Sequence, residues 1–209
     1  MSSSSDPHAL DTIEALESLY GTPVGRSLTK EIDYISDHYR AFVEAAPFVV
    51  ISSVGPEGTD ATPRGDPPGF VRVADQKTVL IPDRRGNNRI DTLRNIVRDP
   101  RVSLLFLVPG VGETLRINGR ASITADPALC EEFSIQGKPA RCVIRVAAER
   151  VYFQCSKALI RSRLWDVDAQ VKPGALPTAG SILKALSTEP FDADEYDRNY
   201  PKHMRKTIY

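Results

Sequence analysis

The chain has 209 residues, enough for one substantial hydrophobic core with added helices and hardly enough for two full domains. Lys and Arg together number 27 and Asp and Glu also number 27, so no net charge attracts the protein to nucleic acid or to an anionic membrane surface. The hydrophobic share of 41% and the charged share of 26% are typical of an ordinary globular protein. We therefore expect neither a nucleic-acid partner nor a membrane partner.

Apolar runs are short throughout the chain. The longest, residues 102–108, ends at Pro109 and falls well below the ~18 residues that a membrane-spanning helix needs. Residues 1–7 include a serine run and lack the basic and apolar regions of a secretory signal. The cysteines are odd in number and widely spaced, which fits neither a disulfide framework nor a zinc site. These features predict a cytoplasmic protein with reduced thiols.

Helical periodicity marks the first part of the chain. Apolar residues at three-residue steps predict a helix over residues 6–20, with Asp6 as its cap and Pro7 in its first turn. Apolar residues three and four apart predict a second helix that ends near Pro47, with Ser27 or Thr29 as its cap. Residues 1–47 are thus predicted to form an N-terminal helical extension.

The periodicity then changes to that of short strands separated by turns rich in Gly and Pro. Strands are predicted over residues 48–53, 60–64, 70–73, 78–82, 102–108, 115–124 and 141–154. Helices are predicted over residues 87–99, 126–133 and 156–165. We expect these runs to form about six antiparallel strands of a barrel. With few crossover helices, they predict a mainly β fold, a closed or nearly closed barrel with added helices over residues 48–166. Residues 167–209 are predicted to be a linker and a C-terminal helical tail.

The common catalytic signatures are absent, since the sequence contains no GxGxxG, GxxxxGK, GxSxG or HExxH motif. His8, His38 and His203 lie far apart in predicted terminal helices, so we interpret them as surface or packing residues. No catalytic side chain and no metal ligand is predicted.

Two polar clusters of Arg, Asn, Asp, Gly and Pro stand at the ends of predicted strands. In residues 62–69 the glycines let backbone amides approach a planar ligand, and Arg64 is suited to bind an anion; the alternative is a hairpin with solvated charges. Residues 82–89 lead into the helix predicted to start at Asn87, so three arginines and two amides gather at a helix N-terminus. This second cluster predicts a site for a phosphate monoester, with a solvated charged loop as the alternative.

Two further groups lie later in the chain. Thr114, Arg116 and Asn118 alternate within a predicted strand and therefore share one polar face of the sheet. Ser156 and Lys157 begin a predicted helix, where a cation is unfavourable beside the positive end of the helix dipole. Lys157 is therefore predicted to contact a ligand or an acidic neighbour.

At these residues the sequence resembles the pyridoxamine 5′-phosphate oxidase-like family of FMN-binding split barrels, in particular a branch of FMN-dependent enzymes of unassigned reaction. The segments that carry the resemblance are PRGDPPGFVRV (63–73), VLIPDRRGNNRIDTLRNIVRDPRVSLLFLVPG (79–110), ETLRINGRASIT (113–124) and CSKALIRSRLW (155–165). The resemblance implies a split barrel, an FMN cofactor and a homodimer with FMN sites at the subunit interface.

The resemblance also implies which residues contact FMN. Residues 62–66 would line the flavin ring, Ile81 and Pro82 the ribityl chain, and Asn88 and Arg89 the phosphate, while the remaining contacts come partly from the second subunit. The full implied set is Thr62, Pro63, Arg64, Gly65, Asp66, Ile81, Pro82, Asn88, Arg89, Thr114, Arg116, Ser156 and Lys157.

One departure bears on the reaction. The authentic oxidase recognises its substrate with a C-terminal segment containing Arg and His, whereas residues 163–168 contain no histidine. The hypothesis is therefore an FMN-dependent oxidoreductase acting on a small-molecule redox substrate other than pyridoxamine phosphate. The alternatives are a non-catalytic protein that binds flavin, deazaflavin F420 or haem, and a barrel that has lost its ligand.

Overall fold

The structure is a computed structural model and describes residues 6–23 and 25–209. Its strands are β1 (Phe48–Gly55), β2 (Gly58–Gly65), β3 (Arg72–Asp75), β4 (Thr78–Asp83), β5 (Arg101–Leu107), β6 (Thr114–Thr124) and β7 (Cys142–Gln154). All the strand pairs are antiparallel, and the strands form one sheet in the order β2-β1-β5-β6-β7-β4-β3. The predicted mainly β fold is confirmed, with 7 strands instead of about six.

The helices before the sheet are α1 (Ile13–Tyr20), α2 (Gly25–Thr29) and α3 (Asp37–Ala45). Those within and after it are α4 (Asp91–Arg98), α5 (Pro127–Glu132), α6 (Lys157–Ser162), α7 (Ala179–Leu186) and α8 (Ala193–Thr207), with a short 3₁₀ helix at Val167–Ala169. None of the helices in the described part of the chain is both long enough and apolar enough to span a membrane.

Strand alternation builds the core. Ile51 of β1 pairs with Leu104 of β5, Leu104 with Ile117 of β6, and Ile117 with Val151 of β7, and all four side chains are fully buried. Ile96 of α4 packs into the same core. The sheet therefore has one apolar inner face and one outer face.

The N-terminal helices differ from their predicted bounds. The predicted start at Asp6 and Pro7 is wrong, because the Asp6 carboxylate accepts a bond from the backbone of His8 and α1 begins only after its Thr12 cap. The second predicted helix is two helices, and Ser36 caps the later one. Ile32 lies between them and forms a β-bridge with Val151, so tertiary pairing holds this segment extended. Residues 1–5 and 24 lie outside the described residues.

The helix predicted over residues 87–99 begins later than expected. Asn88 and Ile90 have φ angles of 61° and 53°, in the left-handed region that a helix cannot include, and α4 starts at Asp91. The helix predicted over 156–165 is also shorter, because Arg163 adopts a left-handed φ of 52° directly after α6. Asn87, Asn88 and Arg89 therefore lie in a loop that precedes α4.

The sheet curls so that the ends of β2 and β4 meet. A guanidinium nitrogen of Arg64 lies 3.1 Å from a carboxylate oxygen of Asp83, and Arg84 lies 3.0 Å from Asp66. Because β2 is at one edge of the sheet and β4 is next to the other edge, these ion pairs close one end of a split barrel. We call this end the barrel mouth.

The tail returns to the mouth after two helices. Helices α7 and α8 pack against each other, and the backbone N–H of Gly180 donates to the carboxylate of Asp197 at 2.9 Å. Beyond α8 the hydroxyl of Tyr209 donates to Asp66 Oδ1 at 2.7 Å, and Lys138 Nζ donates to a main-chain oxygen of Tyr209 at 2.7 Å. The last residues of the tail therefore contact the barrel mouth.

Candidate functional site

Arg64 stands at the centre of the barrel mouth. It pairs with Val49 across β1 and β2 and therefore projects from the inner face of the sheet. Its side chain is 24% exposed, and its ion-pair partner Asp83 is 14% exposed. The Nε atom of Arg64 is buried and has no hydrogen-bond partner among the described residues. A buried donor without an acceptor is unfavourable, so this N–H is suited to a ligand that brings an acceptor.

Two cavities meet at Arg64. The first, the mouth cavity, has a volume of about 360 Å³ and lies between the ends of β2 and β4. The second, the loop cavity, has a volume of about 340 Å³ and lies between β2 and the start of α4. Since both include Arg64, a ligand longer than either cavity has room to extend past its guanidinium group.

Most of the residues predicted to contact a flavin ring line the mouth cavity. It is lined by Pro63, Arg64, Gly65, Asp66, Phe70, Pro82, Asp83, Arg84, Arg85, Gly86, Ile208 and Tyr209. β2 is an edge strand, so part of its backbone carries no partner within the sheet and can bond to a planar ligand. Ile81 does not line the cavity, because its side chain is fully buried in the core.

The loop cavity has polar walls. Its residues are Asp60, Thr62, Arg64, Asn87, Arg89, Ile90, Asp91 and Thr92. The buried hydroxyl of Thr92 donates to Thr62 Oγ1 at 2.9 Å, which fixes one wall, and Arg89 lies 2.9 Å from the carboxylate of Asp91. Asn88 is not part of the lining, because its side-chain oxygen accepts a bond from Arg141 at 3.0 Å.

The carboxylates of the mouth are tightly held. The Asp66 side chain is only 3% exposed and is bound by both Arg84 and Tyr209. The pKa of Tyr209 is raised, mainly by its hydrogen bond to this carboxylate and to a smaller extent by burial. The phenol therefore remains the proton donor. Burial also raises the pKa of Asp83, an effect that Arg64 and Arg141 oppose.

The remaining predicted residues form a second group at the far end of β6 and β7. Arg116 donates to the hydroxyl of Tyr152 at 3.1 Å and to the side-chain oxygen of Gln154 at 3.2 Å. Thr114 pairs with Gln154 across the two strands, and Ser156 and Lys157 follow directly after β7. A side chain at Gly112 would lie 2.8 Å from Ser156, so the loop before β6 also contacts this group.

One subunit does not bring the two groups together. Val143 of β7 pairs with Pro82 beside the mouth, whereas Gln154 at the other end of the same strand pairs with Thr114. At ~3.3 Å per residue these ends are on the order of 30 Å apart. A single ligand site that contains both groups therefore requires two copies of the chain.

Several residues of the mouth were not predicted as site residues. Tyr209 comes from the tail, and Lys138 and Arg141 come from the segment between α5 and the first residues of β7. Their charges are visible in the sequence, but no motif or spacing connects them with residues 63–66. Among the described residues no three or more His, Cys, Asp or Glu side chains are grouped so as to hold a metal ion.

Together, the curled sheet and the arginine-lined mouth define a split barrel with a polar cavity where the ends of β2 and β4 meet. The family model described as pyridoxamine 5′-phosphate oxidase matches residues 35–155, which include the whole sheet and none of the tail after α6. The chain belongs to the pyridoxamine 5′-phosphate oxidase family. No match was found among curated proteins.

Solved structures show partial similarity. The chain is 18% identical to HupZ of Group A Streptococcus, with a TM-score of 0.48 over 58% of this chain and 95% of that one. It is 14% identical to a Clostridium acetobutylicum protein related to general stress protein 26, with a TM-score of 0.44 over 56% and 86% of the two chains. It is 15% identical to an F420 reductase, with a TM-score of 0.43 over 57% of this chain and 98% of that one. The assignment to the family rests on the match over residues 35–155.

Proposed function

We propose that the protein binds FMN at the barrel mouth and acts, as a homodimer, as an FMN-dependent oxidoreductase on a small molecule. The observation that carries the proposal is the buried Nε–H of Arg64, which has no hydrogen-bond partner among the described residues and belongs to a side chain that lines two cavities. A flavin nucleotide has a planar ring edge rich in acceptors and an anionic phosphate, which are the two features that this donor and the neighbouring arginines suit.

Different residues of the mouth would contact different parts of FMN. Pro63, Gly65 and Asp66 would hold the ring and Pro82 the ribityl chain, since all four line the mouth cavity beside an edge strand. Arg89 would hold the phosphate from the loop cavity, which Thr62 of the ring-binding segment also lines. Ile81 would support Pro82 from the core, and Asn88 would act through Arg141.

The chemistry needs no catalytic side chain from the chain itself. When bound, FMN supplies hydride or electron transfer, and the protein supplies position and electrostatics. The positive charge of Arg64, held in a mostly buried position by Asp83, would stabilise negative charge that develops on a bound group during reduction. Arg116 would play the same part if it came from a second subunit.

The outer face of the sheet supports the homodimer. Phe48 is 39% exposed and pairs with Leu107, while Val50 pairs with Leu105 and Leu105 with Arg116. Apolar side chains on an outer face, next to predicted site residues, fit a surface that is covered by another copy. Such a dimer would let Thr114, Arg116, Ser156 and Lys157 complete the partner's site.

The first experiment is the visible absorption spectrum of freshly purified protein, followed by acid release and mass measurement of any chromophore. We expect bands near ~370 and ~450 nm and release of FMN. A different released mass would assign the site to F420 or haem, and a colourless protein that does not bind added FMN would remove the flavin proposal. NADH and NADPH oxidation then separates an enzyme from a protein that only binds its cofactor.

A further inference from the structure

Helix α1 has an apolar face that nothing in the described part of the chain covers. Ile13, Leu16 and Leu19 recur at three-residue steps along it, and their side chains are 66%, 43% and 65% exposed. No residue of α1 is buried, and no other described helix or strand packs extensively against it. Because an isolated helix of 8 residues is too short to be stable in water, α1 requires a surface on which to pack.

The N-terminal arm that carries α1 is attached to the end of β7 that lies far from the mouth. Ile32 forms an antiparallel bridge with Val151, and Lys30 Nζ lies 4.6 Å from the ring centre of Phe153. In an antiparallel pair one chain runs backward as the other runs forward, so the chain before Lys30 continues toward the last residues of β7. The arm is therefore anchored at the far end of the barrel.

A second exposed apolar face belongs to the tail. Tyr200, Met204 and Ile208 recur at every fourth position along α8 and just beyond it, and their side chains are 40%, 39% and 57% exposed. We call these three residues the α8 stripe. Ile208 also lines the mouth cavity, and Tyr209 after it donates to Asp66 there. The α8 stripe therefore ends at the mouth.

The two apolar faces belong to segments of opposite charge. Residues 6–20 contain neither Lys nor Arg, and their acidic residues are Asp6, Asp11, Glu14 and Glu17. Residues 198–207 contain no acidic residue, and their cations are Arg198, Lys202, Arg205 and Lys206. These charges favour contact between α1 and the second half of α8, and they disfavour contact between two α1 helices.

Within one subunit the two faces do not meet. Helices α1 and α8 form no extensive contact, and their attachment points, Val151 and Asp66, lie toward opposite ends of the barrel. In the proposed homodimer the far end of one copy completes the mouth of the other. That arrangement would bring the N-terminal arm of one copy to the tail of its partner. Both apolar faces extend about 10 Å, at ~1.5 Å per helical residue, so their lengths match.

We propose that α1 of each copy packs against the α8 stripe of the other copy, with Leu16 and Leu19 beside Tyr200 and Met204. This inference rests on the proposed homodimer. Each copy would then hold its partner's tail at the mouth, because Ile208 continues the stripe into the mouth cavity. Both helices lie outside the residues that match the family model, 35–155, so the contact would be particular to chains that carry both extensions.

The test is formation of a disulfide between α1 and the α8 stripe in the full chain. The variant is Leu19→Cys/Met204→Cys, made together with Cys155→Ser because Cys155 is exposed. Ser18→Cys/Met204→Cys in the same background is the matched control, since Ser18 lies on the opposite face of α1 from Leu16. After oxidation with oxidised glutathione, non-reducing denaturing electrophoresis separates covalent dimers from single chains, and peptide mass spectrometry identifies the joined positions.

We expect a covalent dimer joined between positions 19 and 204, formed about tenfold faster than in the control, because a surface held beside α1 raises the effective concentration. A disulfide within one chain would overturn the inference, since α1 would then cover its own tail. Equal rates in the two variants, or no disulfide, would also overturn it.

Light scattering before oxidation distinguishes this inference from the homodimer on which it rests. A dimer that forms no disulfide between positions 19 and 204 would lose only the contact between α1 and α8, and the surface that covers α1 would be another one. A monomer would remove the proposed homodimer and this contact together.

Discussion

Arg64 differs from the other arginines of the mouth in carrying a buried donor that nothing in the described chain accepts. Replacing it by Lys keeps a positive charge that can pair with Asp83 and removes the Nε–H. We expect Arg64→Lys to weaken FMN binding about tenfold, the order of one charge-assisted hydrogen bond, with little change in the thermal midpoint. Fluorescence titration of FMN measures the affinity.

The control for this change is Arg72→Lys, because Arg72 forms an exposed ion pair with Glu132 and lines neither cavity of the proposed FMN site. It is expected to leave FMN affinity unchanged. If Arg64→Lys also binds FMN as tightly as the wild type, the unpartnered Nε does not contact the cofactor.

The three cysteines differ in burial, and we therefore expect them to differ in reactivity. Cys130 is buried, Cys142 is half-buried and Cys155 is exposed. Burial, with the nearby Asp83 carboxylate, raises the pKa of the Cys142 thiol to about 11. Since the thiolate is the reactive form and a raised pKa reduces its amount below that pKa, Cys142 is expected to react slowly at neutral pH.

Iodoacetamide at about pH 8 should therefore modify Cys155 first and leave Cys142 largely unmodified, since the thiolate is the nucleophile. Peptide mass spectrometry at several times gives the order of modification. The same reaction in denaturant is the control and should modify all three cysteines. Modification of Cys142 as fast as Cys155 in the folded protein would contradict the assigned environment.

At the scale of elements, the long β6–β7 pair has one position with no room for a side chain. The register shifts between Asn118 and Gly119, and a Cβ at Gly119 would lie 3.0 Å from the carbonyl carbon of Ala147, with the oxygen nearer still. Both strands extend from the mouth to the second group of predicted site residues. Their spacing therefore affects both ends of the proposed site.

Gly119→Ala is expected to lower the free energy of unfolding by about 2 kcal/mol or more, because backbone atoms must move apart to admit the methyl group. Gly86→Ala is the control, since a Cβ there meets nothing within 4 Å. Urea denaturation measures both variants. A Gly119→Ala protein as stable as Gly86→Ala would mean that the strands adjust at no cost.

The elements that the sequence predicts best are those whose pattern is local. Strand alternation located every strand to within a few residues, because an inner apolar face and an outer face repeat every second residue. The starts of α1 and α4 were wrong for a different reason. Local bonding at Asp6 and left-handed residues at Asn88 and Ile90 interrupt helical periodicity without any change in apolar pattern.

The residues of the candidate site also differ in how far the sequence alone reveals them. Residues 62–66 and Arg89 are contiguous with turns and could be selected as a cluster from the sequence. Lys138, Arg141 and Tyr209 reach the mouth only because the sheet curls and the tail returns, and these are tertiary events that no short segment encodes. Charge alone does not distinguish them from the other surface cations of the chain.

At the scale of the whole molecule, the two groups of predicted site residues lie at opposite ends of β7, so the proposed site depends on a second copy. Leu105→Asp places a charge among the half-exposed apolar residues of the outer face without changing the core. We expect the wild type to be a dimer in light scattering, and this variant to be a monomer that has lost most of its FMN affinity.

Val97→Asp is the matched control, because Val97 is 79% exposed on α4 and the substitution is chemically the same. Circular dichroism should show that both variants remain folded. A Leu105→Asp monomer that binds FMN as tightly as the wild type would show that Thr114, Arg116, Ser156 and Lys157 contribute nothing to the site. Loss of dimer and loss of FMN together would instead assign them to the partner's cofactor, because within one subunit these residues lie on the order of 30 Å along β7 from the mouth.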